Sequence, residues 1–132
     1  MKGKKEIKIL NFHKEELIFV LIILATNLKS YEDDDLKNFA EAIHRIETLL
    51  QEKFLRKLQI IGVELSTSEL MKFKILENKV IKLFSSHWYK KLKTLKIDNP
   101  SISVLAKELL KIIEIEYQEP LLYAEEHMEI DW

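Results

Sequence analysis

Apolar residues along the chain recur at two spacings, and these divide it into helical segments. The densest apolar stretch, ELIFVLIILATNL at 16–28, contains ten apolar side chains in thirteen positions. Its uninterrupted run is Leu17 to Ala25, nine residues, whereas a spanning helix needs about twenty. A secretory leader is the stronger rival, because Lys2, Lys4 and Lys5 precede the run. Glu6, His13, Glu15 and Glu16 interrupt the approach, and no small-x-small cleavage site follows. A segment apolar on every side, over roughly 12–30, is expected to be a central, buried helix.

Residues 34–61 show the helical period most clearly. Leu36, Phe39, Ala40, Ile43, Ile46, Leu50, Phe54, Leu58 and Ile61 recur at steps of three and four, a single stripe on a helix of roughly seven turns. Asp33 or Asp34 is placed to cap its start, and Gly62 to stop it. Ser66 and Glu69 have capping-box spacing. They open a helix predicted over 67–96, with Leu70, Phe73, Leu76, Val80, Phe84, Trp88, Leu92 and Leu95 on one side. Asn99-Pro100 then breaks the chain, since Pro disfavours helix in the residue before it and suits the first turn of a new one. A fourth helix over 101–118 carries Ile102, Leu105, Ala106, Leu109, Leu110, Ile113 and Tyr117.

Stripes of this kind must bury on one another, so the expected fold is all-α, an up-and-down bundle of about four helices in a single domain. The tail, 119–132, can add a short docking helix, because Leu121, Leu122, Met128, Ile130 and Trp132 are costly to leave in water. Segments 5–10 and 60–65 also alternate enough to pair as short strands. Two glycines and two prolines in 132 residues argue against that, since turn-dense sheets need more such residues. With no cysteine there is neither a disulfide nor a thiolate ligand, which fits a cytoplasmic location.

The net charge of −1 hides a segregated pattern. Residues 1–30 carry six basic against three acidic side chains, and 31–52 carry two against seven. Residues 53–96 carry eleven against three, and 97–132 two against nine. On an unbroken third helix, Lys72, Lys79, Lys82, Lys90 and Lys93 share the side opposite the apolar stripe. Such a lysine ridge suits a phosphate backbone, with Trp88 or Tyr89 available for base stacking, and gives nucleic-acid binding as the alternative function. The plainer reading is that Trp88 belongs to the core and the lysines to a solvated face.

The acidic runs either pair with the chain's own lysines or recognise a basic protein partner. In the second case the partner-binding residues are Glu32, Asp33, Asp34, Asp35, Tyr123, Glu125, Glu126, Glu129, Asp131 and Trp132, aromatic anchors set among carboxylates. Signals for catalysis are few. Glu41 and His44 have the Glu-x-x-His spacing of di-iron bundles, but such sites need the motif twice with further inward glutamates. His13, His44, His87 and His127 fall one per segment, and Ser85-Ser86-His87 are chain neighbours rather than a spatial triad. No phosphate loop or nucleophile elbow is present, so neither metal nor cofactor is expected. The expectation is a non-catalytic helical binding module without a membrane segment, comparable as a functional class to immunity proteins or antitoxins. A tail ending in Trp132 also allows a homodimer.

Overall fold

A computed structural model describes residues 3–85 and 87–128. The fold is all-α, with no strand among the described residues. Helix α1 (Lys4–Ala25) is the axis. Its first turns expose Ile7, Ile9 and Phe12, whereas every residue from Leu17 to Thr26 is buried. The helix begins and ends earlier than the sequence implies, and 5–10 is helical rather than extended. Its end is set by Thr26, which leaves the helix with an extended backbone while its hydroxyl bonds back to the Ile22 carbonyl at 2.7 Å. No helix among the described residues is long and apolar enough to cross a membrane.

The predicted helix over 34–61 is not one rod. It comprises α2 (Asp33–Ile43), α3 (Ile46–Leu49), α4 (Glu52–Lys57) and a 3₁₀ turn (Leu58–Ile61). The reason lies in which leucines are buried. Leu50 and Leu55 are both 1% exposed, yet five residues on a straight helix turn them about 140° apart. An extended Gln51, with ψ 138°, lets both face the core. Gly62 ends the run in the left-handed conformation at φ 91°, as a glycine stop requires. At the start of α2, Glu32 occupies the capping position without a side-chain bond, and Asp33, Asp34 and Asp35 fill the first turn near the positive end of the helix dipole.

Helix α5 (Thr67–Ile81) has the expected capping box: the Glu69 amide donates to Ser66 Oγ at 3.2 Å, and the Ser66 amide to Glu69 Oε1 at 2.7 Å. Donation from the Ser66 amide, and then from its side chain, holds the Glu69 carboxyl below its ordinary range. The predicted continuation to residue 96 is interrupted. His87 takes a left-handed backbone at φ 58°, followed by a 3₁₀ segment (Trp88–Thr94) and the one-turn α6 (Leu95–Asp98). Helix α5 packs on the later helix α7 (Pro100–Ile112), whereas the 3₁₀ segment packs on α2. One straight rod cannot lie along both. The turn seats Trp88 in the core, where its indole N–H donates to His44 Nε2 at 2.9 Å and its ring contacts Phe84.

Pro100 opens α7 (Pro100–Ile112), the main packing partner of α1. That helix stops short of the predicted 118, and Glu114 is left-handed at φ 60°. Tyr117 therefore lies beyond α7 rather than on its stripe. Helix α8 (Pro120–His127) realises the docking helix expected of the tail and lies against α1.

Candidate functional site

The two acidic segments meet at one contact. Tyr31 donates its hydroxyl to Glu119, a residue 88 positions later. Glu119 in turn caps α8, accepting from the amides of Leu121 at 3.0 Å and Leu122 at 2.9 Å. Burial alone would raise the Glu119 carboxyl, but the Tyr31 hydroxyl and the two amides outweigh it and hold the group below its ordinary value. Tyr31 is pushed well above the ordinary tyrosine range, first by burial and then by the bonded Glu119 carboxylate.

A row of rings supports this clasp. Tyr31 meets Phe39 edge-on at 5.5 Å, Phe39 meets Phe19 at 6.1 Å, and Phe19 stacks on Tyr123 at 6.4 Å. Tyr123 is 4% exposed and thus belongs to the core, which corrects its assignment as a surface anchor. As a helix, the tail turns Tyr123 and Ala124 inward and leaves Glu125 and Glu126 outside. Burial, followed by the nearby charge of Glu15, raises the Tyr123 hydroxyl well above its usual value. Glu129, Asp131 and Trp132 lie outside the described residues.

Part of the acidic charge is met within the chain. Asp33 is 3.8 Å from Lys93, and Glu126 accepts from Gln118 at 3.0 Å. Glu32, Asp34 and Glu125 are exposed and Asp35 is half-buried. The lysine ridge of the alternative reading is not continuous. Lys72 pairs with Glu108 on α7, and Lys93 with Asp33. Lys79 and Lys82 lie before the turn at His87, while Lys90 and Lys93 lie beyond it on the 3₁₀ segment. The shared side assumed for a straight helix is therefore lost, and Tyr89 takes Lys37 over its ring at 5.4 Å.

Each histidine considered as a ligand has a local partner or a backbone role. His44 accepts from Trp88, His13 lies 2.6 Å from Glu16, and His127 stacks on Tyr123 at 4.5 Å. His87 forms the left-handed turn. Among the described residues no three His, Asp or Glu side chains come close enough to hold a metal ion. The buried Glu77 is paired with Lys74 at 2.8 Å.

Sequence reasoning missed one feature, a hollow of about 600 Å³ where the end of α1 meets α7. Its floor includes Ala25, Leu110 and Ile115, and Lys96, Lys107 and Lys111 line it. The four-residue spacing of Lys107 and Lys111 on one helix face was the available signal. Lys96 and the α1 end join them only through the tertiary fold. No family model matches this chain, and no curated protein or solved structure matches it either.

Proposed function

We propose that this chain is a non-catalytic helical binding module that engages a basic protein partner through the acidic face around Tyr31 and Glu119. The supporting observation is the bond between those two residues, since it joins the acidic start of α2 to the acidic α8. Glu32, Asp34, Asp35, Glu125 and Glu126 supply the field, and the exposed Leu122 supplies an apolar contact among them. Complementary charge of this kind raises the rate of encounter and suppresses partners of the wrong sign. Inhibition of a basic toxin or nuclease-like protein, as immunity proteins and antitoxins do, is the functional class that fits; it is an analogy of role rather than of fold.

The test is a photo-crosslinking side chain placed at Leu122 or, as a control, at Met71 on α5, followed by kinetics with the purified captured protein. A basic protein captured from Leu122 but not from Met71 is expected. Neutralising Glu32, Asp34, Asp35, Glu125 and Glu126 should then lower its association rate on the order of tenfold and flatten the salt dependence. Equal capture from both positions, or an unchanged rate and salt slope, would refute the proposal.

A further inference from the structure

The hollow beside α7 combines an apolar floor with an excess of positive charge. Ala25 and Leu110 are almost wholly buried in its base, and Ile115 is half-buried beside them. Lys96, Lys107 and Lys111 are exposed and have no ion pair among the described residues. Glu116 is the one acidic side chain among the lining residues, so positive charge is in excess.

The distribution of basic residues makes this placement informative. Residues 97–132 contain nine acidic side chains and only two basic ones, Lys107 and Lys111. Both line the hollow. Four residues apart on α7, they repel each other and weaken their own helix. Lys111 lies in the last turn, where the helix dipole favours a cation, but Lys107 has no such compensation. An anion between the two would relieve the repulsion.

The hydroxyl wall of the hollow fixes which end of a ligand goes where. Thr26 donates its single hydroxyl proton to the Ile22 carbonyl, so in the 2.7 Å contact between Thr26 and Tyr117 it is Tyr117 that donates. Neither hydroxyl then has a proton left for a ligand. The lysines and the Asn27 side-chain amide are accordingly the donors left for an anionic head, and the floor takes an apolar body. A volume of this size lies within the usual range of small-molecule sites, about 300–1,000 Å³.

We infer that this hollow binds a small amphiphilic anion, with a carboxylate or phosphate head held by Lys96, Lys107 and Lys111 and an unbranched apolar tail on Ala25, Leu110 and Ile115. The site does not involve the acidic face, so either assignment can fail without the other. Calorimetric titration of the full chain with decanoate, below its micelle-forming range, tests it. Decyl phosphate distinguishes the two heads, acetate lacks the tail and decanol lacks the charge.

Saturable one-to-one binding of decanoate or decyl phosphate is expected, with acetate and decanol at least tenfold weaker. The K107E/K111E variant should bind at least tenfold more weakly while its circular dichroism is unchanged. If that variant does not fold, amide shifts of the unaltered chain decide, and Ala25, Asn27 and Ile115 should move on adding decanoate. Absence of saturable binding, equal affinity for decanol, or shifts confined to other surfaces would overturn the assignment.

Discussion

The acidic face and the lysine-lined hollow lie near the same end of α1, but they use their charges differently. On the acidic face, Asp33 meets Lys93, Glu119 caps a helix and accepts from Tyr31, and Glu126 accepts from Gln118. Around the hollow, the lysines have no ion pair among the described residues. Part of the acidic charge is thus committed inside the chain, while Glu32, Asp34 and Glu125 stay exposed. A local surplus of one sign says where a field originates, and only the contacts say how much of it is available to another molecule.

Removing the ring under the clasp should have the largest effect. Phe39 is fully buried between Phe19 and Tyr31, so Phe39→Ala should cost about 3–5 kcal/mol in urea unfolding. A loss below about 1 kcal/mol would mean that the acidic face does not rest on the core.

Glu119→Gln should have a smaller effect, about 1–2 kcal/mol, because an amide oxygen replaces a carboxylate that accepts from one hydroxyl and two amides. Its pH dependence has a definite sign. The folded carboxyl titrates below its ordinary value of 4.5, so its contribution is complete above that value and is lost as pH falls through the lower folded value. Unfolding followed between pH 7 and pH 3 should show this acid-side loss in the native chain, reduced in the glutamine variant.

Asp33→Asn should have the smallest effect. Its pair with Lys93 is long at 3.8 Å and largely exposed, so the change should be under about 0.5 kcal/mol and vanish in high salt. A larger loss would sharpen the contrast, showing that even the loosest acidic contact is structural.

Much of the helical layout was legible because single residues carry it. Ser66 and Glu69 act through side-chain bonds within one turn, Gly62 and Pro100 through their own backbone preference, and all stand where the sequence indicates. The buried core of α1 followed from its lack of a polar side. The breaks at Gln51 and His87 were hidden because neither carries a glycine or proline, and both arise from competition between packing partners. The acidic residues could be found as runs, but their meeting at Tyr31 and Glu119 spans most of the chain. Acidic neighbours suggest exposure for Tyr123, whereas the helical period of α8 turns it inward. The hollow draws on α1, α6 and α7, and no local pattern joins them.

The stack of Tyr123 on Phe19 also bears on biosynthesis. Phe19 precedes Tyr123 by most of the described chain, so α1 is made long before α8 can cover it, and a chain halted before Pro120 leaves the side of Phe19 that meets Tyr123 uncovered. Until α8 is made, the earlier helices can assemble but keep that apolar surface open, and on it nascent chains can stick to one another.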